Sequence, residues 1–209
     1  MSKTVFRYFF DFLDGQEKWL NKMAARGYRL KKCGKMSYTF EECAPNQYEY
    51  AVEYVGDRSF SKAREYRDFL ESLGYRAFTK NINLNYSFGK VTWRPYAKGA
   101  GQFATTPGSY NRELLILEKE GDGKPFELHT GASDRLSVYS SVRRAYAWGV
   151  SMLLCLFALT FLPNMSSASP GSLWAIRAIV LFFGVLFAVP LVKYSSLVSR
   201  LKKESKIYE

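Results

Sequence analysis

Residues 19–30 read WLNKMAARGYRL, and residues 66–77 read YRDFLESLGYRA. Trp19, Met23, Gly27, Tyr28 and Arg29 correspond to Tyr66, Leu70, Gly74, Tyr75 and Arg76 at one constant offset. Self-similarity of this kind marks a repeated supersecondary unit. Each copy has apolar side chains at helical spacing, then a glycine that ends the helix, then a tyrosine-arginine pair that opens an extended segment.

Reading outward from the first copy, residues 5–12 are apolar and aromatic, as in a strand. Residues 14–26 form a helix on the spacing of Trp19, Leu20, Met23 and Ala24, with Asp14 capping its start and Glu17 completing a capping box. Residues 28–33 and 38–43 read as a hairpin around Gly34 and Lys35. Around the second copy, Tyr48, Tyr50, Val52 and Tyr54 alternate with Glu49, Ala51, Glu53 and Val55, as a half-buried strand requires. Residues 59–73 are helical, with Ala63, Tyr66, Phe69, Leu70 and Leu73 on one side, and residues 75–81 and 85–96 supply another strand pair. The expected fold is α+β. A duplicated strand-helix-strand-strand unit forms a two-layer antiparallel sheet with helices on one face, followed by a two-helix transmembrane hairpin.

The hairpin is read from two apolar runs. Residues 146–162 read YAWGVSMLLCLFALTFL and carry no charge; residues 173–194 read LWAIRAIVLFFGVLFAVPLVKY and carry Arg177 near the start. Both are long enough to cross a bilayer as helices. The linker PNMSSASPGS is uncharged, whereas Arg135, Arg143 and Arg144 precede the first run and Lys193, Arg200, Lys202, Lys203 and Lys206 follow or close the second. The positive-inside rule then expects both termini in the cytoplasm, with Arg177 snorkelling at the far interface and Pro190 kinking the second span. The formal net charge of +11 fits an anionic membrane surface. It is not accompanied by a nucleic-acid motif. Cys33, Cys43 and Cys155 form no CxxC pair, and reduced thiols are expected. The opening MSKTVFRYFFDFLDG has aspartates where a secretory signal would be apolar.

The layout is therefore a duplicated α+β domain over 1–96, a loop, hairpin and juxtamembrane helix over 97–145, a transmembrane hairpin over 146–194 and a basic cytoplasmic tail over 195–209. Within 97–145, residues 97–111 read as a loop. Lys98-Gly99-Ala100-Gly101 is no phosphate loop, lacking the GxxxxGK[ST] spacing. Residues 113–120 and 125–129 are expected to pair across Gly121-Asp122-Gly123, and a helix from Ser133 to run into the first span.

Candidate chemistry is sparse. His129 is the single histidine, and no triad, metal cluster or nucleotide motif accompanies it. No catalytic residue, metal or cofactor is expected. The tyrosine-rich strand rows, Phe6/Tyr8/Phe10 and Tyr48/Tyr50/Tyr54, are the candidate recognition surface. Tyr8, Tyr50, Tyr54 and Trp93 are the expected ligand-binding residues, with Glu53 as partner for a cationic group. The competing reading makes these rings core residues.

The stretches YFFDFLDGQEKWLNKMAARGYRL, YTFEECAPNQYEYAVEY and LESLGYR together resemble an uncharacterised bacterial family known only as a domain of unknown function (number 2812). The resemblance covers about residues 5 to 140 and is most specific over Trp19 to Leu30. It implies a Gram-positive source, a membrane anchor and a regulatory setting beside PadR-like regulators, and it carries no catalytic residues. The strand-helix-strand-strand unit is also similar in topology to GyrI-like ligand-binding domains. The function expected is a membrane-tethered cytoplasmic sensor or regulatory adaptor. Its partners are the lipid bilayer, a small amphipathic ligand and a membrane-protein or regulator partner, with no nucleic acid. The alternative is an accessory subunit of a transporter or other membrane assembly, with the spans as its binding element.

Overall fold

The structure is a computed structural model and describes residues 2–82, 84–88, 90–99, 102–104, 112–122, 126, 132–162 and 170–205. The chain divides into two units, residues 1–131 and 132–209.

The first unit opens with β1 (Ser2–Phe6), α1 (Asp14–Ala24), β2 (Tyr28–Cys33) and β3 (Ser37–Glu42). These strands make an antiparallel sheet in the order β1-β3-β2. There follow β4 (Tyr48–Tyr54), α2 (Phe60–Ser72), β5 (Arg76–Lys80) and, later in the chain, β9 (Leu114–Glu120). They make a second antiparallel sheet in the order β4-β9-β5. In both sheets the strand that comes last in the chain lies in the middle. Both helices end at a glycine with positive φ, 79° at Gly27 and 90° at Gly74, where a Cβ would be strained. β2 runs beside β5, with no hydrogen-bonded ladder joining the two sheets.

The structure corrects several expectations. β1 ends at Phe6 rather than Phe12. Phe12 and Leu13 turn into the core, at 3 % and 1 % exposure, so the chain leaves the sheet. The capping box is absent: Leu13 occupies the N-cap position, and the Glu17 carboxylate instead accepts the Val52 N–H at 3.0 Å. The third strand of the second half is β9, not the segment after β5. Leu114 to Glu118 are buried on both faces, so β9 is a central strand rather than an arm of a local hairpin. Of the expected partner segment 125–129, only Phe126 lies within the described residues. The segment between β5 and β9 contributes β6 (Tyr86–Phe88), β7 (Val91–Trp93) and β8 (Phe103–Ala104), which form a separate small sheet. The second sheet thus takes its central strand from beyond residue 96.

α1 packs on β4 of the second sheet as well as on β2. Leu20, Met23 and Ala24 face inward. The Asn21 amide donates to the Tyr50 carbonyl at 2.8 Å and accepts the Tyr50 N–H at 2.8 Å. With Glu17 on Val52, helix side chains satisfy the outward main-chain groups of an edge strand. α2 starts on its Ser59 cap and buries Ala63 and Leu70. Leu70 packs with Val55, Leu115 and Leu117.

The second unit consists of α3 (Ala132–Leu159) and α4 (Pro170–Ser205). As expected, a helix beginning near Ser133 runs without interruption into the first apolar run. The two helices are antiparallel, since Tyr139 meets Tyr194, Tyr146 meets Phe187, and Arg177 meets Thr160. α4 continues through Pro190. At Gly149 an added Cβ would lie 2.8 Å from the Phe187 ring, so that glycine sets the close approach.

Candidate functional site

The five expected ligand-binding residues do not converge on one surface. Tyr8 is partly exposed after β1, edge-on to Phe10. Trp93 is partly exposed on β7 and stacks on Phe103 across the small sheet. Tyr50 and Tyr54 share one face of β4, and Glu53 lies on the other. Glu53 accepts the Tyr66 hydroxyl at 2.8 Å and faces Arg58 at 3.7 Å, and Arg58 in turn lies over the Tyr66 ring. This setting, burial first, raises the Tyr66 phenol to about 12. Tyr54 donates to Asp57.

Tyr50 is fully buried, and its hydroxyl holds the two sheets together. It donates to Glu118 Oε2 at 2.7 Å and accepts the Leu30 N–H at 2.7 Å. Burial and the adjacent carboxylate hold its phenol well above the usual tyrosine range. Arg29 binds the other Glu118 oxygen at 2.8 Å, and Arg76 approaches it at 3.7 Å. The two arginines occupying equivalent places in the two halves thus meet one buried carboxylate. A second buried node ties the small sheet down. The Arg94 Nε donates to Glu113 Oε1 at 2.9 Å, Tyr96 donates to the same oxygen at 3.2 Å, and the Ile82 N–H donates to the other at 3.2 Å. Sequence reasoning missed both carboxylates; the repeated arginine was the available signal for Glu118.

Two concavities carry groups outside these networks. The larger, about 400 Å³, lies between the first turns of α2 and the end of the second sheet. Its floor is apolar: Val55, Ala63 and Leu115. Its rim carries Arg64, Arg67 and Arg112, with Phe60 at the helix start. Arg112 is held by Thr79, donating to its carbonyl at 3.0 Å and its hydroxyl at 3.3 Å. The constant sequence offset between the two helices bears on the hollow. At the register of the five matched pairs, Ala63 and Arg67 stand where α1 has Gln16 and Leu20, both fully buried. One copy fills this space with side chains and the other leaves it open.

The smaller concavity, lined by Tyr8, Phe12, Gln16, Tyr38, Lys80 and Asn81, has free space for about one water molecule. Gln16 and Tyr38 are fully buried there, and among the described residues neither the Gln16 amide nor the Tyr38 hydroxyl has a hydrogen-bond partner. Lys80 reaches across to the carbonyls of Gly34 and Lys35. Burial raises the nearby Cys33 thiol to about 11, against the pull of Lys80.

No group of three or more His, Cys, Asp or Glu side chains that could hold a metal occurs among the described residues. His129 lies outside them. In the helical unit, Arg177 donates to the Thr160 carbonyl at 3.0 Å and the Thr160 hydroxyl at 3.2 Å and lies over the Phe161 ring. It therefore caps the end of α3 from α4.

A family described as "Protein of unknown function (DUF2812)" matches residues 12–152. No curated protein and no solved structure matches the chain.

Proposed function

Because the chain belongs to this family of unknown function, its own residues must carry the reading, and we propose a membrane-tethered cytoplasmic sensor or regulatory adaptor. Its sheet unit holds a small amphipathic molecule in the groove beside α2. The supporting observation is that this groove, within the size range of ligand sites, is part of a chain with two helices long and apolar enough to cross a membrane.

α3 and α4 expose Trp148, Leu154, Phe182 and Val185, a surface suited to lipid. With the charge pattern of the flanks, the hairpin has both termini on the cytoplasmic side. In a cysteine-free background, Ser167→Cys is expected to label with an impermeant thiol reagent in intact cells, and Ser205→Cys is not. The reverse labelling would overturn the orientation. Extraction of the protein by alkaline carbonate would overturn the spans.

Ligand capture has its own test. A screen of amphipathic compounds on the full chain in neutral-lipid nanodiscs is expected to give hits that raise the melting temperature. Ala63→Trp, which fills the groove from the helix side, should abolish that gain while the variant stays folded. Hits that stabilise the variant equally would show that the groove is not their site.

A further inference from the structure

We propose that the groove beside α2 takes the anionic end of its ligand, a carboxylate or phosphate on an alkyl chain, rather than a cationic amphiphile. This rests on reading the groove as a ligand site. Its described lining carries three guanidinium groups and no carboxylate. Glu53, one pleat from Val55 on the same strand face, is occupied by Tyr66 and Arg58 and contributes no negative charge to the lining.

The arginines are arranged for a planar or tetrahedral anion. Arg112 is fixed by two hydrogen bonds to Thr79, so little of its freedom remains to be lost on binding. Arg64 and Arg67 sit on one helix face, one turn apart. Arg67 touches Asp68 at 3.1 Å, while the Arg64–Asp68 and Arg67–Glu71 separations are both 3.8 Å. All these partners are exposed, and such pairs contribute little. A carboxylate or phosphate gains bidentate, charge-assisted bonds that these pairs lack. The alkyl part has an apolar contact in the Phe60 ring, 43 % exposed at the rim, above a floor of Val55, Ala63 and Leu115. An apolar floor under a basic rim selects a molecule with both parts. Either a free amphiphile or an anionic lipid headgroup supplies that chemistry.

The experiment uses the full chain in phosphatidylcholine nanodiscs, titrated calorimetrically with octyl phosphate, octanol and octyltrimethylammonium. Empty discs correct for partition into lipid. Octyl phosphate is expected to bind at least tenfold more tightly than either other probe. Arg112→Gln and, separately, the exposed Arg64→Gln should each weaken it several-fold without changing the circular dichroism spectrum. Discs containing phosphatidylglycerol identify the source: competition with octyl phosphate points to a lipid headgroup, and an unchanged titration points to a free amphiphile. Equal binding of octanol, tighter binding of the cation, or indifference to both arginine changes would overturn the anion assignment. If Ala63→Trp still abolished that binding, the groove would remain a ligand site. If Ala63→Trp had no effect on any probe, both readings would fall.

Discussion

Glu113→Ala is expected to destabilise the sheet unit by about 3–5 kcal/mol, the usual cost of removing one partner from a buried ion pair. Arg94 and Glu113 are both fully buried, and Glu113 also serves the Tyr96 hydroxyl and the Ile82 N–H. Alanine leaves a guanidinium without its counter-charge in a place water does not reach. The Gly56 carbonyl, which Arg94 also reaches at 3.3 Å, is a neutral acceptor and does not replace the lost carboxylate. Urea unfolding of the detergent-solubilised full chain, followed by hydrogen exchange of the β9 amides, measures the loss. The joint change Arg94→Met with Glu113→Leu should recover most of it, because no charge is then stranded. A loss below about 1 kcal/mol for the single variant would mean that the pair is solvated.

Trp19→Ala is expected to cost about 3 kcal/mol, toward the lower end for a large aromatic because the ring is only half-buried. Its ring lies 4.9 Å from that of Tyr38 and 5.5 Å from that of Phe40, both fully buried on β3, and 5.4 Å from Phe9. Arg7 covers its outer side. Removing the indole opens a gap among four side chains and uncovers the face of the central strand of the first sheet. The same unfolding measurement applies, and a loss below about 1 kcal/mol would place Trp19 outside the core. Tyr66, its counterpart in the second half, is spent differently, donating to Glu53.

These positions show which parts of the structure were legible in the sequence. Helical spacing and the two glycine stops marked α1 and α2 to within two residues, because local backbone chemistry alone fixes those features. Alternation identified β4 and showed that Tyr50 and Tyr54 share a face. It could not show that residues 50–53 are buried on both faces, since that depends on α1 crossing onto the second sheet. β9 was misread for the opposite reason. A strand buried on both faces loses its alternation, and LLILE reads the same whether its partners are adjacent or distant in the chain. The arginine-rimmed groove was within reach. Aligning the two copies sets Ala63 against Gln16 and Arg67 against Leu20, a change from filling to vacancy and from apolar to cationic. Tyrosine content drew attention away from that difference, toward rings that the structure uses as hydrogen-bond partners and packing.

The Asn21 and Glu17 clasp on β4 also bears on how copies of the protein behave when confined to the plane of a membrane. There, local concentration is high and collisions are frequent, and an open strand edge is a template for the next chain. With the outward amides of Tyr50 and Val52 already engaged by α1, the middle of β4 is closed to an incoming strand. The helix acts as a guard against sheet-to-sheet polymerisation along that edge.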